Sequence, residues 1–405
     1  MSTATGIPTD AAIGARRGVL LAFAGLGATA ATVPAVLPSM AQEFSVSIAE
    51  VAPAIPAVFF GVLAGVLGAP LLRMRFALSR IILVGALVQA VGLLGVATSP
   101  SPLWFIAAAG LSGFGFGVVE VAGTASAKVL AAEGAPGLLV RLTLAVALVA
   151  TVTPVVVLVS SSFGAVRLVA AVAAVLQLVV TLVISRCVVE EARAGIDEPS
   201  VARSRALPLR TAVVAVAVFC YVGVETILSG CSAATVSVEL GTSAAVAALG
   251  TSAFWLLISL GRFAGTLADR HWRPRPVTLV ATAGLAAALI AAALTSSTAP
   301  TVAIVLLAAG VFFAGPCYAL LLGLGLAGLS AARSVPVASG LVALGAAGGA
   351  AIPLAATLAP GSAGLSPFAP AAIAATVLVV AVAAGALLQK RSSTSSSAHS
   401  EGSRS

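Results

Sequence analysis

Twelve stretches of this chain stay apolar for about twenty residues each, the length a helix needs to cross a hydrocarbon core about 30 Å thick. They cover 18–39, 49–71, 81–98, 102–127, 139–160, 164–185, 211–232, 244–268, 277–296, 300–325, 335–358 and 368–388. With 60% hydrophobic and only 8% charged residues, against roughly 25% charged in soluble domains, the chain reads as an all-α integral membrane protein of twelve transmembrane helices. Ala, Gly, Val and Leu fill these spans, and the small residues among them let helices approach where lipid offers no hydrophobic drive for association.

Charge sets the expected orientation. Arg16, Arg17, Arg73, Arg75, Arg80, Lys128, Arg141, Arg186, the five arginines from Arg193 to Arg262 and all later basic residues fall on one side of the alternating spans, and only Arg167 on the other. That bias puts both termini in the cytoplasm of a multi-pass protein of the cell inner (plasma) membrane. The net charge of +8 is scattered over short loops, which argues against nucleic acid as a partner. Arg16-Arg17 ahead of an apolar run resembles an export signal, but the run is too long and eleven spans follow it. The four cysteines, Cys187, Cys220, Cys231 and Cys317, lack metal-ligand spacing and read as small core residues.

Residues 186–210 interrupt the apolar pattern with arginines, acids, Pro199 and Pro208. The expected organisation is a cytoplasmic segment 1–17, a six-helix half 18–185, a linker 186–210, a second six-helix half 211–388 and a polar, Ser-rich tail 389–405. The offset from Gly18 to Thr211 also carries the basic loop Arg73 to Arg80 onto the loop Asp269 to Arg275. Two pseudo-symmetric halves are therefore expected.

Two carboxylates stand inside this apolar background. Glu120 and Glu225 lie within spans, where a charge costs on the order of 3 kcal/mol even on the mildest scale, so each is expected to face a bundle interior and to move ions or substrate. Gly113, Gly117, Glu120 and Thr124 share one helical stripe, as do Tyr221, Ser229 and Ser232 beside Glu225. His271 falls in a loop and His399 in the tail, so neither competes as a proton carrier.

The run from Gly261 through Arg262, Gly265, Asp269 and Arg270, with Arg273 following, resembles the cytoplasmic loop signature of the major facilitator superfamily. That resemblance implies a gating role for these six residues. The first-half counterpart, Gly68 to Arg75, has the arginines and no aspartate. The segments Phe219 to Thr226 and Gly115 to Ala122 are similar to the fucose permease branch, in which the glutamate matching Glu120 serves proton-coupled sugar uptake and a glutamine stands at the position of Glu225. The branch's helix 1 aspartate has no counterpart in Ala31 to Pro38. In the superfamily, helices 1, 4, 7 and 10 line the cavity, which implies Thr32, Phe116, Thr124, Tyr221, Ser229, Phe312, Phe313 and Tyr318 as cavity residues.

These readings lead to a secondary active transporter of a small organic molecule, proton-coupled, with the two halves alternating access. Direction is open between proton symport and efflux by antiport. Pro154 lacks the glycines of the superfamily's antiporter signature, and the competing class is a non-transporting membrane sensor. No nucleophile triad, metal-ligand set or phosphate loop is present, so no enzyme activity, metal or cofactor is expected. The expected partners are substrate, protons and the bilayer, with the chain monomeric. The sequence holds no asparagine and two membrane-depth glutamines, Gln89 and Gln177. Such an inventory is poor for a polyol; aromatics plus acids suit an amphipathic or cationic molecule instead.

Overall fold

The computed structural model describes residues 9–131, 135–186, 209–269, 272, 274–326, 331–358 and 371–383. Seven helices precede the linker: α1 (Thr9–Glu43), α2 (Ile48–Val51), α3 (Ala54–Arg73), α4 (Leu78–Ala97), α5 (Pro102–Ala131), α6 (Ala135–Ser161) and α7 (Arg167–Arg186). After it come α8 (Leu209–Gly230), α9 (Ser232–Leu240), α10 (Ala244–Ala247), α11 (Leu249–Asp269), α12 (Pro274–Thr295), α13 (Pro300–Ala314), α14 (Cys317–Leu326) and α15 (Ala331–Leu358). A last helix, α16, spans Ala371–Ala383. Every one of the twelve expected spans coincides with a helix or with two helices in series. Ten helices among the described residues are long and apolar enough to cross a membrane, and Gly340–Ala356 and Ala371–Ala383 are shorter apolar ones. The molecule is a multi-pass α-helical membrane protein. The linker between Arg186 and Leu209, the tail after Ala383 and the first eight residues lie outside the described residues.

Proline explains where one span divides. In the run 300–325, Pro316 has no N–H to give the carbonyl of Phe312, and its ring crowds that carbonyl. The helix breaks there: α13 stops at Ala314 and α14 resumes at Cys317, with Gly315 N–H turning back to Phe312 O at 3.2 Å.

By contact the chain parts into two compact units. The first contains the described residues of Met1–Gly195, Thr226–Leu256 and Pro353–Pro367. At its centre α5 is held between α3 and α4 by glycines, since a Cβ at Gly113 or Gly117 would strike the backbone of Val58 or Val62 on α3, and one at Gly115 that of Gly85 and Gln89 on α4. The two membrane-depth glutamines meet in this unit. Gln177 of α7 donates from Nε2 to Gln89 Oε1 of α4 at 3.0 Å, and Thr29 of α1 donates to the same oxygen at 2.7 Å. Gly25 leaves the space that the Gln177 amide occupies. Three helices are thereby tied by a buried amide network, as small polar side chains tie helices in lipid.

Arg167, the exception to the charge bias expected from the sequence, has a structural use. Its guanidinium pairs with Glu43 at the end of α1, donates to the carbonyls of Ala97 and Ser99 after α4, and lies 5.7 Å from the Phe44 ring centroid. One arginine thus gathers the ends of three helices, which accounts for the exception to the charge bias.

Residues 226–256 belong to this first unit although they lie far along the sequence from most of it. Gly230 receives Ile55, the Ser232 and Thr251 hydroxyls lie 2.9 Å apart, and Ser252 donates to Thr151 O at 2.6 Å. The second unit contains the described residues of Ile196–Glu225, Leu257–Ile352 and Phe368–Ser405. Here α8 meets α15 closely, Gly348 lying against the Phe219 carbonyl and Gly223 under Ile352.

Candidate ion-pair site

The strongest concentration of chemistry lies within the second unit, where α8 and α11 adjoin the break between α13 and α14. Along α8, Tyr221 and Glu225 are four residues apart and share a face. Tyr221 is fully buried, and its hydroxyl donates to Ala314 O at 2.9 Å. That acceptor is the final carbonyl of α13, so the tyrosine ties α8 to the break between α13 and α14. The Tyr318 ring sits beside the Tyr221 ring with centroids 6.1 Å apart. Cys317 is buried at the start of α14, its thiol donating to Phe313 O at 3.3 Å.

The break is seated on α11. A Cβ at Gly261 would fall on the Phe312 carbonyl, one at Gly265 on the Pro316 ring, and one at Gly315 on the backbone of Ile258, Gly261 and Arg262. With glycine at all three positions, backbone meets backbone. Arg262, next to Gly261, sends Nη2 to Glu225 Oε1 at 3.3 Å. The arginine and glutamate side chains are 38% and 21% exposed, so the pair is shielded without being sealed.

Arg262 belongs to the loop signature in sequence, yet it lies seven residues before the end of α11, about 10 Å inside the helix. The structure brings it to Glu225, its partner at membrane depth. Asp269 closes α11, and Arg270 and Arg273 lie outside the described residues.

Other candidate residues lie on other elements. Glu120 and Thr124 are partly exposed on α5, on the stripe that Gly113 and Gly117 begin against α3. Phe116 is half-buried against the core formed by Ala15, Phe23, Ile82 and Val119. Thr32 has no accessible surface, and its hydroxyl bonds to Ala28 O at 2.7 Å. That bond lies within α1 itself, the back-bond a threonine hydroxyl makes to the carbonyl four residues before it. Ser229 likewise donates to Thr226 O at 3.2 Å. Phe312 and Phe313 form an edge-on pair with centroids 5.9 Å apart, and Phe313 covers Gly284 of α12, a packing contact.

Sequence reasoning missed the ion pair and the glutamine network. A signal for the first is present: Arg262 lies within the span 244–268, where a cation calls for a counter-charge, and Glu225 is an acid within the neighbouring span.

No family model matches the chain, and no curated protein matches it. Solved structures do. A D-xylose–proton symporter superposes with a TM-score of 0.72 at 14% identity, covering 92% of this chain and 96% of its own. The fold is that of the major facilitator transporters. A nucleoside transporter (TM-score 0.69, 12% identity, 92% of this chain and 99% of its own) and the E. coli fucose:proton symporter (0.60, 19%, 91% and 97%) are similar over nearly the same lengths. At these identities the likeness is one of architecture.

Proposed function

We propose that the chain is a secondary active transporter that moves a small organic molecule together with a proton, its two six-helix halves alternating access. The observation that carries this reading is a membrane-depth ion pair, Glu225 with Arg262, set at a broken helix in a fold shared with transporters of sugars and nucleosides. A carboxylate beside a permanent cation can exchange that cation for a proton, and a broken helix offers backbone groups only where protein or water meets them. In this reading Glu120 and Glu225 carry protons, Tyr318, Phe312, Phe116 and Thr124 contact substrate, and Gly261, Gly265, Asp269, Arg270 and Arg273 serve the gate. Both termini face the cytoplasm of the inner membrane, and the unit of function is the monomer.

Orientation is checked by cysteine labelling. Ser162→Cys and Ser297→Cys, both at exposed positions, are expected to react with an impermeant maleimide in intact cells, and Met74→Cys only after permeabilisation. The reverse pattern would overturn the orientation.

The activity itself is tested in proteoliposomes under an imposed pH gradient, presenting pools of sugars, nucleosides, organic acids and organic cations. Uptake of at least one class, dependent on the gradient and not on ATP, is expected. Glu120→Gln keeps the side-chain size and removes the titratable proton, so gradient-driven accumulation should fall to the level of empty vesicles while counterflow exchange persists. Accumulation unchanged in this variant would exclude Glu120 as the carrier, and no gradient-dependent uptake of any class would exclude the transporter reading.

A further inference from the structure

We infer that Arg262 and Glu225 form a proton-exchanged anion site, at which Arg262 takes the carboxylate of a small organic substrate while Glu225 holds a proton. The inference rests on the transport reading and adds to it the charge of the substrate.

Charge balance is the first argument. A guanidinium stays ionised under all physiological conditions, and at membrane depth it needs a counter-charge. Among the described residues Arg262 finds that charge in Glu225. When Glu225 accepts a proton at a carboxylate oxygen it becomes neutral, and Arg262 is left uncompensated unless an anion arrives. Proton and anion therefore enter together as a neutral pair. Each alone is disfavoured, which is what couples them.

Geometry is the second. The pair is joined through a single guanidinium nitrogen at 3.3 Å, longer than the 2.7–2.9 Å or so of a strong charge-assisted bond, whereas a carboxylate ligand can take two nitrogens of the fork at once. Over a third of the arginine side chain is accessible. An incoming carboxylate thus meets free donors before it displaces Glu225.

Among the described residues, the titratable or charged groups that face Glu225 are Arg262 from α11, Tyr221 from α8 itself and Cys317 from α14. Arg262 is the one cation in that set. Tyr221 and Tyr318 place aromatic surface beside the pair, suited to an aromatic or aliphatic body. A cationic substrate, expected from the acids and aromatics of the sequence, would instead meet Arg262 as a like charge, a repulsion that grows as the site is shielded from water.

The test uses the purified full-length chain and three probes with one aromatic body: benzoate, benzyl alcohol and benzyltrimethylammonium. Binding is measured by calorimetry as pH is lowered through a range in which benzoate stays ionised. Benzoate is expected to bind best, with affinity rising up to about tenfold per pH unit because one proton is taken up with it. Glu225→Gln, fixed in the neutral state, should bind benzoate at least as tightly with no pH dependence, and benzoate should raise its melting temperature more than that of the unaltered protein. Arg262→Gln should lose about tenfold or more in benzoate affinity, with Arg262→Lys intermediate. The slope in the unaltered protein is readable even where a variant is unstable. Tighter binding of the quaternary cation, a pH slope that survives in Glu225→Gln, or no benzoate binding would overturn the assignment. Proton-linked uptake of a cation without benzoate binding would remove this inference and leave the transporter reading intact. Benzoate binding without any flux would do the reverse.

Discussion

Arg262→Met is expected to lose about 2–3 kcal/mol of stability, and Glu225→Gln combined with it to recover most of that loss. Breaking a fully buried pair by deleting one partner costs about 3–5 kcal/mol, because the surviving charge is left without compensation. Here the arginine and glutamate side chains keep 38% and 21% of their exposure, so solvent screening trims the figure toward the lower end. Replacing both partners leaves no orphan charge, and two neutral side chains of similar volume can pack where the pair stood. The readout is the melting temperature of the detergent-solubilised protein for the two single variants and the double. A double variant that melts no higher than Arg262→Met would mean that the arginine contributes through packing of its stem, not through Glu225. Transport should be absent in the single and in the double variant alike, since rescue of the fold does not restore the cation.

How much of this could be read from sequence depends on the range of the interaction. Spans were legible because each is decided locally: a run such as 139–160 needs no distant partner to be apolar, and all twelve reappear as helices. The break at Pro316 is also local, although its consequence, a carbonyl of α13 answered by Tyr221 on α8, is not. The ion pair joins residues 37 positions apart and the glutamine network joins residues 88 positions apart. No periodicity connects such residues before the helices are packed. Arg262 was masked further by its neighbours, because Gly261 and Gly265 belong to a recognisable loop signature and drew the arginine into it. Thr32 shows a local bond that the sequence pattern does not announce. Pseudo-symmetry and the family's cavity helices made it a candidate, but a threonine hydroxyl can bond the carbonyl four residues back, and in α1 that is where it points. Arg167, the exception to the charge bias, is held by Glu43 and two carbonyls, partners that no local pattern names.

The second large effect should come from glycine. Gly261→Leu is expected to abolish transport and to prevent accumulation of folded protein, because the Phe312 carbonyl already occupies the space a Cβ would need. A typical overpacked site costs about 1–3 kcal/mol and relaxes by moving side chains. At Gly261 the obstacle is backbone, and Gly315 presses from the other side onto the backbone of Ile258, Gly261 and Arg262, so the helix and the break must separate as bodies. That separation would also carry Arg262 away from Glu225, uniting a packing defect with an electrostatic one. Gly261→Ala serves as the graded test, since a single methyl demands a smaller shift and should leave measurable protein with weakened benzoate binding. The comparison position is Gly323, where a Cβ meets nothing within 4 Å. Gly323→Ala is expected to leave expression unchanged and the melting temperature unchanged or slightly raised, since helix propensity favours it by up to about 1 kcal/mol. Equal tolerance of alanine at positions 261 and 323, with binding preserved in both, would show that the seat of the broken helix is looser than its contacts imply.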